Sequence, residues 1–307
     1  MTSWQTFVDQ PCELGESPFW HPVEQRLYWI DIARRSVLRA DAGGAVERWE
    51  LPQEPGCIAP AASGGLVLGL RDGIYRARQW GGELQCLARL PHDSATARSN
   101  DGKCDALGRF WVGTLYEPRD QAAAALYALD ARGGRAPALT RMAGEATVAN
   151  GLAWSPDARI LYWADTSSHR IRAWDWDAEA NQLSNPRVFQ QMPPKPPGWA
   201  WGDPAAAPYG GRPDGAAVDA QGNYWSAQYE GRRLLKLSPA GELLAELPTP
   251  VQCPTMACFG GADLRTLYLT TARHGRSARE LAEQPQAGCV FALRVDQPGL
   301  PVNFFQD

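Results

Sequence analysis

The chain has 307 residues, of which 44% are hydrophobic, so it can bury a large core, and repeat or all-β folds of this size are often single domains. Its formal net charge of −4 predicts no binding of nucleic acid or of an anionic membrane, and no apolar run approaches the length of a membrane span. Seven cysteines without paired spacing and a polar N-terminus without a signal-peptide core predict a cytoplasmic protein with reduced thiols.

The first predicted element is a short strand at residues 4–9. It precedes a sequence motif that occurs six times along the chain. In the clearest copy, apolar residues around Leu152 and Trp154 are interrupted by Ser155-Pro156-Asp157, and a second apolar run begins at Ile160. This pattern is typical of a β-hairpin. In chain order the six copies span residues 16–29, 57–68, 100–111, 150–165, 214–225 and 255–268.

Each copy is followed by further short β-runs. In the first copy, runs at 26–31, 36–41 and 45–51 complete four short strands within about forty residues, which is the pattern of one propeller blade. Helical periodicity is nearly absent. The sequence therefore predicts an all-β fold, a six-bladed β-propeller of four-stranded antiparallel blades around a central channel, in a single domain over residues 1–307. The strand at 4–9 has no blade of its own and is predicted to close the last blade.

Three segments do not fit a blade: residues 117–125, 193–211 and 274–286. The middle segment is rich in proline, glycine and tryptophan, and a loop of this length in a compact domain is usually either functional or disordered. Both interpretations stay open: the loop shapes the mouth of a site, or it extends into solvent. Within the last segment, residues 279–283 are predicted to form one helical turn.

The repeats also place one residue of each blade at the same depth beside the propeller axis. These residues lie thirteen positions before Trp29, Trp163 and Tyr268, and eleven positions before Leu68, Trp111 and Trp225. The two spacings differ by two residues, so side chains keep the same facing. The predicted axial residues are Glu16, Cys57, Asn100, Asn150, Asp214 and Thr255.

Five of these six residues are polar, and Glu16 and Asp214 are carboxylates. Two like charges near an axis repel each other and are costly to bury unless a cation lies between them. Hard oxygen donors favour calcium, magnesium or manganese, with calcium as the first choice, and leave zinc and ferrous iron open. The alternative is that these residues cap strand starts. The histidines fall outside the axial register, which predicts surface or turn positions for His21, His92, His169 and His274.

Four motifs occur in order along the chain: Gly15-Glu16-Ser-Pro, Arg98-Ser-Asn-Asp-Gly-Lys103, Ala149-Asn-Gly-Leu-Ala153 and Arg212-Pro-Asp-Gly215. They resemble those of the SMP-30/gluconolactonase family, also called regucalcin-like, and the resemblance extends along the whole chain. It implies a six-bladed propeller with one divalent metal in the central channel and hydrolysis of sugar lactones.

The family's residue roles are carried over from the same resemblance. The metal-binding positions fall on Glu16, Asn150 and Asp214, and the sugar-binding positions on Arg98 and Asn100. Family members often have an acidic residue after the Gly-Thr of the third blade that contacts sugar hydroxyls. The only residue of that kind here is Glu117.

The resulting functional hypothesis is metal-dependent hydrolysis of aldono-1,4- or 1,5-lactones, such as arabinono-, xylono-, galactono- or gluconolactone, with Asp214 as the base that activates water. The partner is then a small-molecule lactone, and the protein is a monomer or a small homo-oligomer. Two alternatives stay open. One is an esterase acting on phosphotriesters or aryl esters, for which Trp199 and Trp201 would supply an apolar mouth. The other is a non-enzymatic calcium-binding protein.

Overall fold

A computed structural model describes residues 3–203 and 205–307, and in it the strands form six four-stranded antiparallel sheets. Met1, Thr2 and Pro204 lie outside the described residues, although the first two fall in the predicted domain and the third also falls in the predicted 193–211 loop. The sheets are the blades of a propeller, so the predicted all-β, six-bladed fold is confirmed. The extent of the single domain over residues 1–307 stays a prediction.

The strands are numbered in chain order, and each blade is given from its inner to its outer strand. Strand β1 is Gln5–Val8. Blade 1 is β2 Gly15–His21, β3 Arg26–Asp31, β4 Ser36–Ala40 and β5 Val46–Glu50; blade 2 is β6 Pro55–Pro60, β7 Leu66–Leu70, β8 Gly73–Ala77 and β9 Gln85–Arg89; blade 3 is β10 Ala97–Cys104, β11 Phe110–Tyr116, β12 Ala124–Asp130 and β13 Ala138–Ala146.

The second half of the ring follows the same scheme. Blade 4 is β14 Ala149–Trp154, β15 Ile160–Asp165, β16 Arg170–Asp177 and β17 Gln182–Gln191; blade 5 is β18 Arg212–Val218, β19 Tyr224–Tyr229, β20 Arg233–Leu237 and β21 Leu243–Pro248; blade 6 is β22 Pro254–Gly260, β23 Thr266–Thr271, β24 Val290–Arg294 and, as its outer strand, β1.

The ring is closed by the N-terminal strand. Strand β1 pairs antiparallel with β24, with Thr6 opposite Phe291. The last blade therefore contains strands from both ends of the chain, and β24 has a partner instead of an unpaired edge. This confirms the predicted closure.

The segments between blades differ from the predictions in one detail. Strand β12 begins at Ala124, so the last two residues of the predicted non-blade segment 117–125 belong to blade 3. The helical turn is confirmed as α1, Ala278–Glu283, which begins with a reciprocal capping box between Ser277 and Glu280. A 3₁₀ turn covers Arg132–Gly134. Among the described residues, no helix is long and apolar enough to cross a membrane.

The core lies between adjacent blades, and tryptophans of the second strands fill much of it. The side chains of Trp29, Trp111 and Trp163 are essentially fully buried. Trp111 packs edge to face against Trp154, with ring centroids 5.5 Å apart. The recurrence of tryptophan at one place in the repeats therefore reflects interblade packing. The seven cysteines are all free and six are buried, in agreement with the prediction of reduced thiols.

Two tryptophans of the second strands, Trp111 and Trp225, each donate a hydrogen bond to a buried aspartate of their own hairpin. The indole Nε1 of Trp111 donates to Asp105 Oδ2 at 2.8 Å, and that of Trp225 donates to Asp219 Oδ2 at 3.0 Å. Each carboxylate also accepts hydrogen bonds from backbone N–H groups of the turn. The ammonium of Lys236 lies 3.4 Å from Asp219. One buried carboxylate thus fixes both the turn and the second strand.

We expect Asp219→Ala to lower the free energy of unfolding by about 3–5 kcal/mol, because it leaves buried donors of Trp225 and Asn223 without their acceptor. Urea unfolding followed by circular dichroism measures this loss. Asp263→Ala is the matched control, since Asp263 is half exposed and its ion pair with Arg294 is expected to contribute less than about 1 kcal/mol. Equal losses in the two variants would contradict the assigned role of Asp219.

Candidate active site

The channel has a cavity at each end, and the inner strands run from one to the other. Residues near the starts of β2, β10, β14 and β18 line a cavity of about 450 Å³. Residues near the ends of the same strands line a second cavity of about 290 Å³. The polar and charged side chains at the strand starts therefore meet in the larger cavity, which we call the upper cavity.

Four of the six predicted axial residues line the upper cavity: Glu16, Asn100, Asn150 and Asp214. The other two do not line it, and their axial placement stays a prediction. Cys57 and Thr255 are fully buried in the channel wall. In blade 2 a bulge precedes Cys57 and changes its register, and in blade 6 the Thr255 hydroxyl donates to the carbonyl oxygen of Gly15 in the neighbouring blade.

A β-bulge interrupts the pairing of the inner strand in every blade. In three blades the residue directly after the cavity-lining side chain has a left-handed backbone: Ser17 with φ 50°, Asp101 with φ 33° and Gly151 with φ 58°. Bulges aim side chains in directions that a regular strand does not allow, and non-glycine residues in this conformation carry strain. The bulges thus direct Glu16, Asn100 and Asn150 into the upper cavity.

The glycines of the Asp-Gly motifs allow the inner strands to approach each other closely. A Cβ atom on Gly102 would lie 2.3 Å from the carbonyl oxygen of Trp111 and 2.6 Å from Cys57 Sγ. A Cβ atom on Gly215 would lie 2.4 Å from the Cβ of Met256 in the next blade. Larger residues at these two positions would push the strands apart and displace the acidic residue that precedes each glycine.

Both carboxylates of the upper cavity have raised pKa values, and Asp214 is buried whereas Glu16 is half-buried. Burial, followed by the charges of Asp214 and Asp101, holds the pKa of Glu16 well above its usual range. Burial raises the pKa of Asp214 to about 8, although the nearby Arg212 acts to lower it. Without a compensating cation, Asp214 therefore binds a proton near neutral pH, and Glu16 binds protons more readily than an ordinary glutamate.

A hydrogen-bond network fixes the amides beside these carboxylates. Arg98 Nη1 donates to Asn100 Oδ1 at 2.8 Å, and Asn100 Nδ2 donates to Asn150 Oδ1 at 3.3 Å. Asn150 Nδ2 then donates to Thr166 Oγ1 at 2.8 Å. The Nδ2 atom of Asn150 is thus occupied as a donor, so its Oδ1 atom is identified as the acceptor of this amide. Burial lowers the pKa of Arg98 to about 10, so its guanidinium stays charged at neutral pH.

Two residues of the channel were not singled out by the sequence. Asp101 Oδ2 accepts a hydrogen bond from the backbone of Leu152 at 2.9 Å, whereas Oδ1 is buried without a partner among the described residues. The ammonium of Lys103 donates to the carbonyl oxygen of Ala216 and lies at the smaller cavity. Both follow Asn100 in the motif that ends at Lys103. The bulge at Asp101 breaks the alternation that would have predicted their facing.

Histidine and tyrosine form part of the rim of the upper cavity. His169 is buried, lines the cavity and has its Nε2 atom 2.8 Å from the hydroxyl of Tyr209. His274 also lines the cavity but is exposed. His169 lies in the turn at 166–169, as predicted, and the loop that carries Tyr209 folds back against it. The prediction of a surface or turn position is wrong for His21, which is buried at the end of β2.

Glu117 does not line the upper cavity. Its Oε1 atom accepts a hydrogen bond from Arg71 Nη2 at 2.8 Å, and Arg71 also binds Glu54. The loop at 193–211, in contrast, contacts the cavity rim through its described residues, because Lys195 binds Glu230 and Tyr209 binds His169. The structure thus brings this loop to the mouth and holds Glu117 away from it.

The donors present fit a divalent cation. The described residues contain no group of three or more His, Cys, Asp or Glu side chains that could hold a metal. The upper cavity instead offers the carboxylates of Glu16 and Asp214 and the amide oxygen of Asn150. These are hard oxygen donors, and a cation would replace the protons that the two carboxylates otherwise bind.

Comparison with known proteins agrees with this geometry. Residues 14–273 match the family described as "SMP-30/Gluconolactonase/LRE-like region". The chain belongs to this family. It is 44% identical to a 6-deoxy-6-sulfogluconolactonase of Pseudomonas putida over 97% of both chains. It is 32% identical to regucalcin of Danio rerio over 93% of this chain and 92% of the other.

The fold is also similar to solved structures. The crystal structure of a calcium-binding protein, regucalcin, from Agrobacterium tumefaciens superposes with a TM-score of 0.88 at 23% sequence identity. The alignment covers 100% of this chain and 98% of the other. At this identity the likeness supports the propeller fold.

Proposed function

We propose that this protein hydrolyses sugar lactones to aldonic acids with the help of one divalent metal ion. The observation that carries the proposal is the meeting of Glu16, Asn150 and Asp214 in one cavity beside Arg98 and Asn100. The first three offer metal donors, and the last two offer hydrogen bonds to a polyhydroxylated ring. Membership of a family that contains sugar lactonases supports the same activity.

Glu16, Asn150 and Asp214 are the residues that would hold the ion, and calcium is our first choice because all three donors are hard oxygens. When bound, the ion supplies Lewis-acid stabilisation of the charge that develops on the lactone carbonyl oxygen. Zinc, magnesium, manganese and ferrous iron are the ions to compare with it.

The side chains of the cavity have separate roles in the reaction. A carboxylate oxygen of Asp214 takes a proton from water as the water oxygen attacks the carbonyl carbon. The bond between this carbon and the ring oxygen then breaks, and the ring oxygen receives the proton and becomes a hydroxyl. Arg98 and Asn100 orient the ring through its hydroxyl groups, and their mutual hydrogen bond limits their movement. The contact of Glu117 with substrate stays a prediction.

The rim of the cavity favours a polar substrate over the esterase alternative. Trp199, which would supply an apolar mouth, packs against Tyr209 with ring centroids 5.1 Å apart and does not line the cavity. Arginines line the rim instead. A protein that only binds calcium would have no use for Arg98 and Asn100 beside the donors. Both observations favour lactone hydrolysis.

The test is acid release from a panel of lactones in weak buffer, corrected for spontaneous hydrolysis. The panel contains arabinono-, xylono-, galactono- and gluconolactones, and chelator-treated protein is supplied with calcium, magnesium, manganese, zinc or ferrous iron one at a time. We expect turnover that depends on the added ion. Absence of turnover with every ion, while calorimetry still detects metal binding, would overturn the proposal.

A further inference from the structure

Three cationic side chains meet one buried carboxylate at the rim of the upper cavity. The Glu230 side chain is 3% exposed, and Lys195 Nζ lies 2.9 Å from it, Arg276 Nη1 3.0 Å and Arg212 Nη1 3.3 Å. The three cations come from the 193–211 loop, the start of β18 and the turn before α1. The carboxylate of Glu280 also lies 3.6 Å from Arg276 Nη1, so three positive charges face two negative ones and an excess of positive charge remains.

The carboxylate of Glu230 remains ionised at neutral pH. Burial acts to raise its pKa, but Arg212, Lys195 and Arg276 together lower it below its ordinary value. Glu230 therefore contributes a full negative charge beside the three cations.

Two of these cations have donors left for a ligand in the cavity. Arg212 and Arg276 both line it, and their guanidinium carbons lie 5.1 Å and 5.7 Å from the ring centre of Tyr229, another lining residue. A guanidinium has five N–H donors, so the bonds to Glu230 use only part of them. The Nε atom of Arg276 is buried and has no hydrogen-bond partner among the described residues.

The lining of the whole upper cavity also contains more cationic than acidic side chains. Its lining includes four arginines: Arg98, Arg119, Arg212 and Arg276. The acidic lining residues are Glu16 and Asp214, which the proposed function assigns to the metal ion. With that ion bound, the carboxylates no longer balance the arginines. A neutral sugar would bring no charge to pair with them, whereas an anionic group on the substrate would.

We propose that Lys195, Arg212 and Arg276 form a subsite for a fully ionised oxyanion, a phosphate ester or a sulfonate, on the lactone carbon farthest from the carbonyl. The inference rests on the proposed function and names its substrate class. Planar guanidinium groups bind such oxyanions through paired hydrogen bonds. Arg212 precedes Asp214 by two residues on the same strand, a spacing of roughly 7 Å, which matches the length of a six-carbon lactone.

The kinetic test compares three substrates of the calcium-loaded protein: D-glucono-1,5-lactone, its 6-phosphate and its 6-deoxy-6-sulfonate. We expect kcat/KM for the two anionic lactones to exceed that for the neutral one by about tenfold or more, with a preference that declines as salt is added. If only one anion is preferred, the subsite is assigned to that anion. Hydrolysis of all three at equal efficiency overturns the subsite alone, whereas failure to hydrolyse these and the earlier panel lactones with any of the five ions overturns the proposed function.

Arg276→Gln is expected to lower the ratio of kcat/KM for anionic over neutral lactone by about tenfold, because it removes one charge and its paired donors. A purely structural role would lower both values and leave the ratio unchanged. Arg279→Gln is the matched control, since Arg279 lies in the same segment but is 72% exposed and paired with Glu283. Lys195→Gln serves as the second variant and keeps the test decisive if Arg276→Gln does not fold.

A binding measurement tests the subsite without turnover. Calorimetric titration of the chelator-treated protein with 6-phosphogluconate and with gluconate compares two carboxylate products, of which only the first carries a second anionic group. We expect 6-phosphogluconate to bind about tenfold more tightly, and Arg276→Gln to remove most of the difference. Equal affinity of the unsubstituted protein for both compounds would overturn the inference.

Discussion

We expect Asp214→Asn to lower kcat/KM for lactones by about 10³-fold or more and to weaken metal binding. The substitution removes one of the two carboxylates of the upper cavity and the group assigned as general base, a role that commonly contributes about 10²- to 10⁴-fold. Acid release and calcium titration by calorimetry measure the two effects. Asp203→Asn is the control, because Asp203 is exposed on the rim loop and does not line the cavity.

The two readouts separate the two roles of Asp214. Retained turnover would contradict its role as base, and lost turnover with unchanged calcium affinity would contradict its role as ligand. Misfolding is distinguished by the metal-free stability. Since the variant removes a carboxyl group whose ionisation is disfavoured in the folded metal-free protein, its chelator-treated form should unfold at a higher temperature than the chelator-treated wild type.

Much of the fold follows from local sequence. The repeated hairpin phrase predicts six blades because each copy brings its own turn residues and its own second-strand aromatic, as at Trp111 and Trp163. These residues are buried between blades, so the constraint that maintains them is packing. The closing strand could be predicted for a related reason: residues 4–9 are strand-like and have no blade of their own.

The axial register predicts the site only as far as strand pairing stays regular. Counting from the second-strand anchor places Glu16, Asn100, Asn150 and Asp214 in one cavity, whereas Cys57 and Thr255 are fully buried and do not line it. Bulges add or remove one residue of register, and a one-residue change reverses the facing of a side chain. The bulges leave no clear mark in the sequence, so this part of the site required the structure.

The cationic rim could not be predicted for a different reason. Lys195, Arg212 and Arg276 are far apart in sequence and meet only because a loop, a strand start and a turn converge on Glu230. No repeat spacing relates them. For Glu117 the sequence position suggests a contact that the structure does not show. It follows the Gly-Thr of blade 3, but an ion pair with Arg71 of blade 2 holds its carboxylate outside the cavity.

The metal-free protein should become less stable as pH rises from about 6.5 to 8. The folded-state pKa of Asp214 is about 8 and that of Glu16 is raised well above its usual range, whereas both groups titrate near pH 4 in an unfolded chain. The folded state therefore binds more protons than the unfolded state throughout this interval, and stability falls with increasing pH. The lowered pKa values of His21 and His169, caused first by burial, act in the opposite direction but below about pH 6.5.

Differential scanning calorimetry with chelator and with calcium tests this expectation. We expect Tm of the chelator-treated protein to fall by about 5 °C between pH 6.5 and 8, since about 1 kcal/mol corresponds to roughly 2–4 °C in large domains. The calcium-loaded protein should change less, because the cation replaces the protons of Glu16 and Asp214 and binds more tightly as pH rises. Asp214→Asn should lose much of the dependence. A metal-free Tm that rises over this interval would mean that the two carboxylates are already balanced by the protein's own cations, and the need for a metal in the upper cavity would disappear.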